Sequence, residues 1–241
     1  GVQKTKEHTL PLSELAEQLP YPLGLKLRGF VQGLQRRDEG EIDPQFPFEV
    51  AATMGVVVRT LGVVALQAYV ASGKTNAKLN HQVVDKLRAP SDGGWLELAQ
   101  TLSKATAAHH PFAQFVAGSL SRKVSLDTAI SKHTDKARTP GQALHKLVSF
   151  RNDLIHGETI TDARLSQACA QLELAVRGLS ELVNYRLLVA FKDVVWCLNG
   201  ALPRPLDETL TLPDQEPCLV HTDPAIEPFS LSPLLRFRPG E

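Results

Sequence analysis

Cysteine is scarce in this chain, and the three it has form no functional pattern. Cys169, Cys197 and Cys218 are an odd, widely spaced set with no CxxC pair. That excludes a disulfide scaffold or a cysteine zinc site and suits a reducing cytoplasm. A basic excess is missing too: Lys plus Arg number 26 and Asp plus Glu number 26, so the formal net charge is zero. Proteins that coat nucleic acid non-specifically draw their affinity from neutralising phosphates and need such an excess. Any nucleic-acid contact here has to be local. No secretory leader is expected either. Gly1-Val2-Gln3-Lys4 has neither a charged n-region leading into an apolar stretch nor a starting Met, and the leading Gly reads as a processing or expression scar. The longest apolar stretch, Ala51 to Ser72, has the length of a membrane span but carries Arg59 beside Thr60, with Gln67 further on. A charge at that depth costs about 2.5–3.5 kcal/mol on insertion scales. A buried central helix is expected, with no membrane partner and a cytoplasmic location.

Two familiar chemistries are incomplete. Ser72-Gly73-Lys74-Thr75 has the ending of a phosphate-binding loop, but the Gly needed five residues before Gly73 is Ala68, inside a helical stretch. Without a preceding strand and a glycine-rich cradle, the Lys and Thr have nothing to act with. His109-His110 suggests a metal, yet adjacent side chains on a helix point about 100° apart. No acid or cysteine stands at ligand spacing near them. No metal and no cofactor are expected.

What remains is a globular composition, with 43% hydrophobic and 22% charged residues over 241 positions. That suits one large domain, or one domain with an appendage. Apolar residues recur at three- and four-residue spacing, and strand-like alternation is nearly absent, so the expected fold is all-α. Helices are expected over Pro11–Gln18, Leu23–Gln35, Phe48–Ser72, Asn76–Ala89, Trp95–Ala108, Pro111–Leu120 and Ala143–Ile155. Asp92-Gly93-Gly94 reads as a break, and Ser125–Lys136 is polar and irregular. A last, long helix is expected from Ala163 to about Val195, its apolar face kept by residues such as Leu172, Leu179, Leu187 and Leu188. Gly55 and Gly62, seven apart on the central helix, predict close approach of a neighbouring helix. From Pro203 to Pro233 seven prolines break the pattern, and residues 207 to 227 hold six acids and no Lys or Arg. The division expected is therefore a helical bundle over residues 1–202 and an extended, Pro-rich acidic tail over 203–241. The tail reads as a strap or a mobile segment with one short strand near Leu231–Phe237, and the bundle is expected to fold without it.

The stretch with chemistry in it is Leu147-Val148-Ser149-Phe150-Arg151-Asn152-Asp153-Leu154-Ile155-His156-Gly157. Arg offers a planar fork to phosphate oxygens. A neutral histidine takes a proton from a ribose 2′-hydroxyl and a protonated one returns it to the leaving oxygen, both near neutral pH. On a helix Asn152 and His156 share a face, whereas Arg151 is offset from His156 by roughly 140° unless the helix end relaxes. One copy supplies one histidine, so acid and base together need two copies, which a twofold dimer provides. A plainer reading makes Arg151 and Asp153 a solvated face and His156 a C-terminal cap facing the helix dipole.

Arg151, a polar Asn152, three residues and then His156 match one for one the signature of the HEPN (higher eukaryotes and prokaryotes nucleotide-binding) family, which this segment resembles. The resemblance extends to a helical bundle with the motif on a late helix, over roughly residues 20 to 200. It implies a metal-independent RNA endonuclease acting as a homodimer with facing motifs, a toxin or effector in bacterial defence against phage. Arg151 would hold the scissile phosphate, His156 move protons, and Asn152 orient the phosphate or the histidine, leaving a 2′,3′-cyclic phosphate. Other members are non-catalytic partners within larger sensor proteins, and the abrupt start and Pro-rich end of this chain fit such a fragment. Some toxins of the family carry a Tyr two residues after the His, the target of an antitoxin that attaches nucleotides. Glu158 stands at that position here. Residues 101 to 156 carry eight Lys or Arg (Lys104, Arg122, Lys123, Lys132, Lys136, Arg138, Lys146, Arg151) against three Asp, a local excess suited to RNA.

Overall fold

The computed structural model describes residues 10–73, 75–191, 194–200, 202–206, 210–213 and 215–232. Gly1, Lys74 and most of the strand expected at 231–237 lie outside these residues. Among the described residues the helices are α1 (Leu12–Gln18), α2 (Leu23–Asp38), α3 (Phe46–Ala71), α4 (Ala77–Arg88) and α5 (Asp92–Thr106), then α6 (Pro111–Ser121), α7 (Thr128–Ser131), α8 (Pro140–Ile155) and α9 (Asp162–Gly178). Side-chain caps fix several starts, as expected of Asn, Ser and Thr at that position. Asn76 accepts from the Leu79 amide, Ser91 from Gly94, Thr139 from Gln142 and Thr161 from Arg164. Asp92-Gly93-Gly94, expected as a break, is therefore the capped first turn of α5.

α3 is the centre of the bundle, with α2, α5, α6 and α8 packed round it. By length and composition it passes for a membrane span, but 67% of its most apolar window is buried inside the protein. The close approach expected at its glycines comes from α5 of the same chain. A Cβ at Gly62 would lie 2.6 Å from the Trp95 ring and 2.9 Å from the Trp95 carbonyl.

The all-α expectation is overturned by a five-stranded antiparallel sheet after α9, in the order β3-β2-β1-β4-β5. Its strands are β1 (Tyr185–Phe191), β2 (Val194–Cys197), β3 (Arg204–Leu206), β4 (Cys218–His221) and β5 (Phe229–Ser230). The long helix expected to reach Val195 stops at Gly178, where a Cβ would collide with Pro140, and a 3-10 turn over Ser180–Asn184 leads into the central strand. Burial on both faces of β1 explains the misreading. Tyr185 and Leu187 join the main core of the bundle with Leu219 and Leu231, while Leu188 packs on the other side with Val195, Cys197, Cys218 and Val220. Leu206, Leu210 and Leu212 cover that second side. A strand covered on both faces reads as an unbroken apolar run, which periodicity alone does not separate from a buried helix.

The extended tail is corrected in the same way. β3, β4 and β5 come from the Pro-rich region, and β4 pairs directly with the central strand, from Tyr185↔His221 to Leu188↔Cys218. The sheet thus spans the boundary expected at residues 202 and 203.

Asn199 joins the bundle to the sheet. Its Oδ1 accepts from the Leu187 amide at 2.7 Å, and its Nδ2 donates to the carbonyls of Gln18 at 2.7 Å and Tyr185 at 3.1 Å. Replacing Asn199 by Ala strands a buried amide and should lower unfolding free energy by about 2–3 kcal/mol. Urea denaturation checks this, and a loss below about 0.5 kcal/mol, the ordinary range of a surface substitution, contradicts it.

The sheet is pinned to α6 by a second residue. The His110 ring packs edge-on against Phe229 with centroids 4.2 Å apart, and its buried Nδ1 has no hydrogen-bond partner. Burial pushes its pKa below the ordinary value of 6.5. The neutral form is favoured on folding, so its contribution is complete above pH 6.5 and is lost as pH falls toward the lowered folded value. His110→Gln should flatten the decline in the urea midpoint between pH 7.5 and pH 5.5. An unaltered decline rules His110 out as its source.

Candidate functional site

The motif occupies the last turn of α8. Leu147 and Phe150 point into the core and fix the rotation of the helix, which leaves Asn152 and His156 exposed and Arg151 half-buried. The helix is closed by a Schellman arrangement: the Gly157 amide donates to the Leu154 carbonyl at 3.1 Å and the Glu158 amide to Asp153 at 3.0 Å. Gly157 supplies the left-handed backbone this requires, with φ of 76°. His156 is the cap residue, at φ −79° and ψ 3°, just outside regular helix. The end is tied to the next helix by Arg164, which donates to Asp153 at 3.0 Å and lies over the Phe150 ring at 5.9 Å.

Arg151 is held from below. Its Nε lies 3.2 Å from Oδ2 of Asp92, a carboxylate only 3% exposed in the first turn of α5. The other oxygen of Asp92 accepts from Arg59 of α3, at 3.0 Å from Nε and 2.9 Å from Nη2. One buried acid thus anchors two arginines from two other helices, and the α5 N-terminus favours the negative charge there. The three elements open onto a cavity of about 310 Å³ lined by Lys26, Phe48, Ala52, Arg59, Asp92, Arg151 and Ile155 among others. Phe48 and Ile155 are exposed apolar side chains on its rim, at 52% and 57%.

The three expected site residues are only partly brought together. Arg151 Nη1 and Asn152 Oδ1 are 3.5 Å apart, at the outer limit of a hydrogen bond. His156 stands one turn on at the cap and does not line the cavity. Arg59 and Asp92 did not stand out as site residues in the sequence. Their signals were an arginine inside an apolar helix, which needs a partner, and an acid straight after the capping Ser91. Of the eight cations in residues 101 to 156, three are in ion pairs among the described residues: Arg122 with Glu181, Lys146 with Asp135, and Arg151 with Asp92. Competing chemistry is weak. All three cysteines are free and buried, and burial pushes the thiols of Cys169 and Cys218 up to about 12 and about 11, far from a reactive thiolate. Among the described residues no group of three or more His, Cys, Asp or Glu side chains converges as metal ligands.

This geometry separates stability from chemistry. Gly157→Ala should cost about 1 kcal/mol through the left-handed backbone, and Arg151→Ala about 1–2 kcal/mol because the buried Asp92 carboxylate loses one of its two cations. His156→Ala, at an exposed cap, should change stability by less than about 0.5 kcal/mol. Urea unfolding of the three variants checks the order, and a neutral Arg151→Ala means that its bond to Asp92 contributes nothing. Comparison with known protein families, with curated proteins and with solved structures gave no match.

Proposed function

We propose that this protein is a metal-independent RNA endonuclease whose site is composed from two copies of the chain, acting in the cytoplasm as a toxin or effector of bacterial defence against phage. The observation that carries the reading is the attachment of Arg151. Its Nε lies 3.2 Å from the buried Asp92 carboxylate while the side chain stays 34% exposed, and the exposed His156 caps the same helix. On this reading a phosphate gripped by Arg151 is worked on by histidines drawn from the two facing motifs. The ribose 2′-oxygen attacks the adjacent phosphorus as a histidine removes its proton. The bond from phosphorus to the 5′-oxygen breaks, and a protonated histidine supplies that oxygen with hydrogen. Atoms balance without water or metal, giving a 2′,3′-cyclic phosphate and a free 5′-hydroxyl. Arg151 stabilises the charge that develops on the phosphoryl oxygens, and Asn152 orients the phosphate or the ring.

Acid and base require two histidines, and the surface beside the motif favours a second copy. Ile155 adjoins His156 and shares a cavity rim with Phe48 and Ala52, all three exposed. An apolar patch beside a polar motif suits a twofold contact that places two motifs opposite each other.

A second reading has an observation of its own. An arginine bound to a buried aspartate is also what a structural ion pair looks like, and then the chain is a helical sensor or interaction module of a larger defence protein. The two readings part in one experiment, purified protein with total RNA in EDTA. Endonuclease chemistry predicts cleavage that EDTA leaves unchanged and that yields cyclic phosphate ends. His156→Ala and Arg151→Ala should each lower the rate by about 10²–10⁴-fold, and Asn152→Ala by about tenfold through a lost orienting hydrogen bond. Cleavage that survives His156→Ala, or stops with EDTA, favours the sensor module.

A further inference from the structure

We infer that Arg59 is a second phosphate-binding side chain of this site and that Asp92 is the positioning residue that aims Arg59 and Arg151 together, an inference that rests on the ribonuclease reading and extends it to two residues outside the motif's helix.

The charges around Asp92 do not cancel. Asp92 carries one negative charge and has two arginines on it, Arg59 on one oxygen and Arg151 on the other, so the cluster has a net positive charge. The carboxylate is 3% exposed, while the arginine side chains are 56% and 34% exposed. The acid is therefore at the bottom and the guanidinium groups face outward. Both arginines spend Nε on Asp92. Among the described residues, Arg151 keeps both terminal nitrogens for a ligand, one of them shared at 3.5 Å with Asn152, and Arg59 keeps Nη1. Two like charges on one carboxylate repel each other in the free protein, and an anion between them relieves that cost. A phosphodiester fits because a guanidinium fork matches its oxygens.

The cavity has the right company for that anion. Lys26 lines it as a third cation, itself 3.6 Å from Glu49. Arg59 is the sole Lys or Arg of α3, and its side chain is 56% exposed. Gly55, one turn before Arg59, stands beside the Asp92 carboxylate, where a Cβ would meet Oδ2 at 3.4 Å. Lys26, Arg59 and Arg151 thus continue the phosphate path from the motif across α3 toward α2, with Asp92 setting the angle of the two guanidinium groups.

The two roles have opposite signatures. A phosphate contact contributes to affinity and its salt dependence, whereas a positioning carboxylate adds negative charge that offsets its gain in binding, so its effect is read mainly in kcat. The test uses a fluorescein-labelled single-stranded RNA dodecamer and the whole chain carrying His156→Ala, which allows binding to be read by anisotropy without cleavage. Arg59→Ala on that background should weaken binding several-fold at low salt and flatten the slope of log Kd against log salt by about 0.7, one phosphate contact on a single strand. Arg59→Lys should restore the slope but not the full affinity. In the chain with His156 intact, Asp92→Asn should lower kcat at least tenfold while KM stays within threefold or falls, and Asp92→Glu should recover part of kcat. An unchanged salt slope in Arg59→Ala overturns the phosphate contact. Asp92→Asn that cuts as fast as the parent, or loses activity through KM alone, overturns the positioning role. If the parent chain cuts no RNA, the ribonuclease reading fails by itself; the salt slope of Arg59→Ala, an exposed side chain whose loss leaves Asp92 paired with Arg151, still decides the phosphate contact.

Discussion

Asp92 is the constraint on which the site depends. A carboxylate with 3% exposure is costly unless paired and hydrogen-bonded, and here it meets that cost with two arginines and a helix N-terminus. Each partner comes from a different helix, Arg59 from α3 and Arg151 from α8, so the ion cluster fixes the mutual placement of α3, α5 and α8. The same contact sets where the guanidinium of the motif points. Structure and proposed chemistry therefore share one residue, which contributes no group to the reaction itself. The approach of α5 to α3 that makes this possible is permitted at Gly62, against which Trp95 packs.

The sheet serves the bundle from the other side. β1 is central and covered on both faces, and its inner residues Tyr185 and Leu187 belong to the same core as α3 and α8. Asn199 holds the end of α1 to that strand, and β4 and β5 bring Leu219 and Phe229 against the bundle. Helices and strands are one packed body at this junction, which is why the Pro-rich region takes part in the core instead of trailing from it.

Much of the helical part was legible. Capping residues and prolines mark the starts of α4, α6, α8 and α9, and Gly157 marks the stop of α8, because these signals act within one turn. The glycine pair of α3 foretold a close neighbour at Gly62. The sheet was not legible, since Leu187, Leu188 and Val189 are buried from both sides and leave no alternation to read. Pairing with β2 and β4 is a long-range property that a local pattern does not contain. In the site, Arg151, Asn152 and His156 stand out as a contiguous motif. Arg59 and Asp92 become its neighbours only when α3 and α5 pack, 33 residues apart in the chain.

A composite site implies that activity belongs to the dimer, and this is the claim most open to direct measurement. RNA cleavage per protomer, followed in EDTA over a dilution series alongside mass from light scattering, should fall as the dimer dissociates and track the dimer fraction. Constant cleavage per protomer from a protein of strictly monomeric mass contradicts it.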